Sequence, residues 1–89
     1  MVVSMAEVIA TFRVMPKDVD VDLDALEAKI KELIKADQIK REPIAFGLVA
    51  LNVIKIIPDA GGEIDAIEKK LKSLEDVGEV EVTDLTRTL

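Results

Sequence analysis

Three aspartates at alternate positions, Asp20, Asp22 and Asp24, have a spacing that suits chemistry, because carboxylates in close succession bind calcium. The segment lacks the central glycine and the closing glutamate of a calcium-binding loop. It does lead into an amphipathic pattern, and aspartates at the start of a helix accept hydrogen bonds from its free N–H groups. We therefore interpret this cluster as a helix N-cap and predict no metal site.

A second pair of carboxylates, Glu79 and Glu81, would suit general acid–base catalysis, because residues two apart on a strand point to the same side. They alternate with Val80 and Val82, which indicates the solvated face of a strand. The glycines of the DAGG segment at 59–62 would expose N–H groups to an anion, but the segment has neither a Walker spacing nor GxGxxG. We predict an ordinary turn there, and no catalytic residue in the chain.

The composition excludes several classes of function. The chain has 89 residues and contains neither cysteine nor histidine, which removes thiol chemistry, the commonest metal ligand and the usual general base. A net charge of −6 disfavours nucleic acid, and no tyrosine or tryptophan is available to stack on bases. No targeting segment or membrane-length apolar run is visible. We expect a cytoplasmic protein without a cofactor, and the scarcity of side-chain amides hints at a heat-adapted source.

Phe46 is one of only two aromatic residues, and it lies beside Gly47, where the chain must turn. One interpretation is a core phenylalanine, the usual place for an aromatic side chain. The other is a solvent-facing anchor for a partner's pocket. The sequence by itself leaves both open.

The elements that must position these residues alternate in a regular order. Apolar periodicities of two and of 3.6 residues predict strand, helix, strand, strand, helix, strand at 6–16, 18–38, 39–46, 48–58, 59–74 and 77–89. Pro43 assigns the second strand to an edge, and the nearly continuous apolar third strand belongs in the centre. We predict an α+β fold of one domain, 1–89, with 1–4 as a short extension. It is a ferredoxin-like βαββαβ sandwich, in which two helices cover one face of a four-stranded antiparallel sheet.

The chain resembles archaeal elongation factor 1-beta over essentially its whole length from Met5. The residues that carry the resemblance are FRVMPKDVDVDLDALEAKI, PIAFGLVALNV and EVTDLTRTL. The resemblance implies a translation factor that promotes GDP/GTP exchange on the GTPase elongation factor 1-alpha. Such a factor is not an enzyme in the usual sense, because it binds the GTPase and disturbs its magnesium and phosphate site.

The same resemblance implies which residues bind the partner. Eukaryotic relatives carry a Gly-aromatic-Gly segment whose aromatic residue inserts into an apolar pocket of the GTPase. Ala45, Phe46 and Gly47 stand at that place here, with Ala45 departing from the first glycine. Those relatives also end in a penultimate lysine that displaces the magnesium ion, where this chain has Thr88. Arg87 is the nearby cation, and its guanidinium would compete for a metal and phosphate site unless it is an ordinary exposed residue.

Rival functions come from other classes. A regulatory module of the same fold would bind a small molecule such as an amino acid. An enzyme would have to work with aspartate and glutamate alone, and an RNA-recognition domain would need aromatic residues on its central strands. We expect an exchange factor that works as a monomer.

Overall fold

The computed structural model describes residues 7–58 and 62–88, which form four strands and two helices in the predicted order. The elements are β1 (Glu7–Pro16), α1 (Leu23–Ile34), β2 (Gln38–Pro43), β3 (Val49–Pro58), α2 (Glu63–Lys72) and β4 (Val77–Thr88).

The four strands form one antiparallel sheet in the order β2-β3-β1-β4. The strand that contains Pro43 lies at an edge, and the apolar β3 lies between β2 and β1, both as predicted. Proline is tolerated at an edge because no neighbour on the outer side requires its missing N–H group. The ferredoxin-like βαββαβ fold is therefore confirmed.

The core lies between the helices and one face of the sheet. Alternate residues of β1 point into it and are almost completely buried, whereas the residues between them are only partly buried. The core residues of β1 are Val8, Ala10, Phe12 and Val14, and those of the helices are Leu26, Ile30, Ile34, Ile67 and Leu71. Phe12, the other aromatic residue of the chain, is fully buried. The alternation in the sequence thus identifies the covered face of the sheet correctly.

The start of α1 is capped as the aspartate pattern predicts. The Asp22 carboxylate accepts hydrogen bonds from the backbone N–H groups of Asp24, at 3.1 Å, and Ala25, at 3.3 Å. This satisfies two of the four donors that a helix N-terminus leaves free. The cap fixes where the β1–α1 loop, residues 17–22, joins the helix.

An ion-pair cluster ties the edge strand to α1. Arg41 of β2 donates hydrogen bonds to the carboxylates of Glu27 and Asp24, both on α1. These hydrogen bonds, the one to Glu27 foremost, raise the pKa of Arg41 above its ordinary value. The Glu27 carboxylate therefore bonds across to the sheet, to a residue 14 positions further along the chain.

Among the strand boundaries, the end of the second strand differs most from the prediction, and β4 contains an irregularity. The second strand ends at Pro43 instead of 46, because the following residues form a tight turn. In β4 the pairing with β1 shifts between Thr11 and Phe12, so that Thr83 forms a bulge and donates a hydrogen bond to the Thr11 carbonyl at 3.3 Å. The predicted turn at 59–62 lies outside the described residues except for Gly62, which precedes α2 with φ of 80°.

Candidate functional site

The loop between β2 and β3 is a tight turn with Phe46 at its tip. The Leu48 N–H donates to the Ala45 carbonyl at 3.0 Å, which makes Phe46 and Gly47 the two central residues. Both have positive φ, 56° and 79°. Two successive positive φ angles are the signature of a type I′ turn, which favours Asn-Gly at its centre.

Phe46 combines a strained backbone with an exposed side chain. A positive φ costs a residue other than glycine roughly 1–2 kcal/mol, because its Cβ crowds the following carbonyl. Its side chain is 96% exposed, so no burial within the chain offsets that cost. The interpretation of Phe46 as a core residue is therefore wrong. A strained, exposed aromatic residue is typical of a binding site, where such strain persists because function requires it.

Gly47 is required by the backbone and not by a lack of space. A Cβ atom at this position would meet Val19 Cγ1 at 3.7 Å, an ordinary van der Waals contact. The positive φ of 79° is what favours glycine here. The same measurement shows that the β1–α1 loop lies against the turn.

Other apolar side chains near the turn are also exposed. Val19 of the β1–α1 loop is 58% exposed and Ile44, just before the turn, is 38% exposed. We call Val19, Ile44 and Phe46 the apolar tip. Sequence reasoning found Phe46 but missed Val19, because the alternation in VDVD gives Val19 and Val21 the same pattern, although only Val21 packs against the core and Val19 faces solvent. Its approach to Gly47 is a tertiary contact that no local pattern predicts.

Negative charge surrounds Val19. Asp18 and Asp20 are exposed, and Asp18 Oδ1 accepts the Asp20 N–H at 2.8 Å in a local turn. The one cation of this loop, Lys17, has its Nζ 3.8 Å from a carboxylate oxygen of Asp76. The apolar tip therefore lies in a field that favours a positively charged surface.

The structure does not bring Arg87 to the apolar tip. The backbone of Arg87 pairs with Val8, at the opposite end of the sheet from the turn. Val14 pairs with Leu51 on the other side of β1, and the turn lies beyond Leu51. The six residue steps from Val8 to Val14 already span about 20 Å. Ala45, Phe46 and Gly47 are thus one group of predicted site residues, and Arg87 is separate.

The paired glutamates of β4 lie on the open face of the sheet, as predicted. Glu79 and Glu81 are exposed and line a shallow groove with Arg13 and Met15. Within the described part of the chain, Arg13 Nε is a buried nitrogen without a hydrogen-bond partner. The register places Arg13 opposite Glu81, so a positive charge lies among the acids.

Across 7–58 and 62–88, no group of three or more histidine, cysteine, aspartate or glutamate residues is arranged to hold a metal ion. In the same ranges no helix has the length and apolar character needed to cross a membrane.

Comparison with known proteins identifies the family of this α+β sandwich. A family model described as the EF-1 guanine nucleotide exchange domain matches residues 9–88. The chain is 47% identical over 89 residues to elongation factor 1-beta of Methanothermobacter thermautotrophicus and, equally, to that of Methanobrevibacter smithii, covering 96% of this chain and 100% of each relative. Elongation factor 1-beta of Thermoplasma volcanium is 35% identical over 86 residues, covering 92% of this chain and 98% of the relative.

The chain belongs to the EF-1 guanine nucleotide exchange domain family, and its class is that of translation elongation exchange factors. Among solved structures, the ACT domain from GTP pyrophosphokinase of Chlorobium tepidum is similar, with a TM-score of 0.58 and 17% identity over 86% of this chain and 99% of that one. At that identity the likeness concerns the fold alone, and it agrees with the βαββαβ topology.

Proposed function

We propose that this protein binds elongation factor 1-alpha and promotes GDP/GTP exchange on it by disturbing its magnesium and phosphate site. The observation that carries the proposal is Phe46, 96% exposed on a backbone of positive φ. An aromatic side chain held in that way gains its stabilising contacts only when a partner buries it. The family to which the chain belongs supports a GTPase as that partner.

The proposed mechanism is differential binding. An exchange factor that binds the nucleotide-free or distorted GTPase more tightly than the GDP-bound form lowers the affinity of the GTPase for GDP by the ratio of those two binding affinities. In this mechanism Phe46 anchors the complex, and Gly47 and Ala45 hold the anchor in its turn. Arg87 would add a competing cation at the metal and phosphate site. We assign the activity to a monomer in the cytoplasm, with no cofactor of its own.

The test is release of a fluorescent GDP from the cognate elongation factor 1-alpha, measured with and without this protein. We expect acceleration that saturates with protein concentration and is largely lost in Phe46→Ala. Ile56→Thr is the matched control, because Ile56 is an exposed apolar residue, at 40%, on the open face of β3 and away from the turn. It should leave release unchanged.

The outcomes separate the claims. No acceleration by the intact protein at saturating concentration would refute the exchange proposal and favour a small-molecule binding module of the same fold. Acceleration that Phe46→Ala leaves intact would refute the anchor alone. A reduced maximal rate in Arg87→Gln, with an unchanged half-saturating concentration, would support a role for the guanidinium in the exchange step.

A further inference from the structure

We infer that the β1–α1 loop forms a second half of the partner-binding surface, in which Val19 extends the apolar contact of Phe46. Asp18 and Asp20 would pair with basic residues around the partner's pocket. The inference rests on the proposed function, because it describes the same encounter with a GTPase. It commits to a partner surface with an apolar pocket and a positively charged rim.

The first argument is adjacency. A Cβ atom built on Gly47 would lie 3.7 Å from Val19 Cγ1, so the loop and the turn present one continuous surface. A partner that buries Phe46, next to Gly47 in the chain, therefore has Val19 close to its contact surface. Large exposed apolar side chains that adjoin in this way mark an interaction site, whereas single scattered ones do not.

The second argument is that the fold explains the loop only in part. Val21 packs against the core and Asp22 caps α1, so both residues have structural roles. Val19 is 58% exposed. Asp18 and Asp20 are exposed and bond locally through one carboxylate and one N–H group. An apolar residue flanked by two aspartates resembles a protein–protein interface, in which an apolar centre is surrounded by a polar or charged rim.

The third argument concerns the sign of the charge. The two aspartates are next to Val19, and Lys17 is within 3.8 Å of an Asp76 oxygen, which leaves the surface around Val19 negative. Opposite charges across an interface raise the association rate and fix the orientation of docking. Together with the net charge of −6, this favours a basic rim on the partner.

The apolar contact is tested with Val19→Ala and Val19→Ile in the fluorescent GDP release assay. Removing two methyl groups from a buried contact should raise the half-saturating concentration about 5- to 10-fold. Val19→Ile should keep the half-saturating concentration within about 2-fold of the wild type. Because Val19 is mostly exposed, both variants should unfold at the wild-type temperature, which excludes misfolding as the cause of a loss.

The charged rim is tested with the double variant Asp18→Asn, Asp20→Asn. Asparagine keeps the Oδ1 acceptor of the local turn while removing both charges. At low ionic strength the association rate should fall about 3- to 10-fold, and this difference should shrink as salt is added. The matched control is Glu32→Gln with Glu63→Gln, which removes two exposed charges distant from the apolar tip.

The results distinguish this inference from the proposed function. If the intact protein accelerates release and Phe46→Ala abolishes it, but neither the Val19→Ala nor the aspartate variant changes binding, the inference is refuted and the proposed function stands. If the control pair slows association as much as the aspartate pair, net charge and not a local rim is responsible. If the intact protein has no effect on release, both fail together.

Discussion

The strained turn at Phe46 predicts that a substitution can stabilise the protein while removing its activity. Phe46 occupies the first central position of a turn whose two central residues have φ of 56° and 79°. Asparagine tolerates this conformation far better, and Asn-Gly is the favoured pair for such a turn. Since the Phe46 side chain is 96% exposed, its replacement forfeits almost no burial.

We expect Phe46→Asn to raise the free energy of unfolding by about 1 kcal/mol, the lower end of the penalty for a positive φ. For a domain of this size, 1 kcal/mol corresponds to a rise of about 4–8 °C in the melting temperature. Thermal and urea unfolding, followed by circular dichroism, measure the change. The same variant should lose most of its acceleration of GDP release, so that stability and activity move in opposite directions.

Phe46→Ala is the matched control for the strain. Alanine retains the Cβ that causes the penalty but lacks the aromatic ring, so the melting temperature should stay within about 2 °C of the wild type. Activity should be lost in both variants. A Phe46→Asn protein that melts at or below the wild-type temperature would refute the account of strain. A large loss of stability in Phe46→Ala would show that the ring supports the fold.

Three further predictions concern stability. Gly47→Ala should cost about 1 kcal/mol through its positive φ, and a cost of several kcal/mol in the same unfolding assay would point to a clash that the 3.7 Å contact does not predict. Asp22→Ala should cost about 1 kcal/mol by removing the cap of α1, whereas Asp22→Asn should not, and equal losses would contradict capping. Arg41→Met should lower the melting temperature by detaching β2 from α1. The pKa of Arg41 is raised in the folded protein. The stabilisation by its ion pairs is therefore fully present at any pH below the ordinary pKa of arginine, and it is lost only as the pH rises through the higher pKa of the folded state. The difference between Arg41→Met and wild type should therefore stay constant from neutral to moderately alkaline pH, and a change there would contradict the assignment.

Local patterns predicted the fold because each strand and helix repeats its own period. The alternation around Phe12 identified the buried face of β1, and Pro43 identified the edge strand. Both follow from chemistry within a few residues. The fold could therefore be predicted with little knowledge of contacts between distant residues.

The candidate site could be predicted only in part, because it depends on backbone angles and on contacts between distant loops. The sequence places Phe46 near a turn but leaves open whether its ring faces the core or solvent. The positive φ and the 96% exposure decide it. Val19 and Gly47 meet only after the sheet has formed, and Glu27 bonds to Arg41 across 14 positions. The separation of Arg87 from Phe46 likewise follows from strand register, which local periodicity does not specify.

Because Phe46 and Arg87 lie at opposite ends of the sheet, a small rotation about one of them moves the other by a large distance. β1 is hydrogen-bonded on one side to β3, which follows the turn at Phe46, and on the other to β4, which contains Arg87, so the three strands move together. If the turn at Phe46 is the pivot, a rotation of about 10° displaces the backbone at Arg87 by at least about 3.5 Å, because the six residue steps from Val8 to Val14 alone span about 20 Å. A displacement of that size exceeds the length of a metal–oxygen bond, which is about 2 Å for magnesium. A small change in the orientation of the Phe46 ring within a partner's pocket would thus move the backbone at Arg87 by more than the length of a bond.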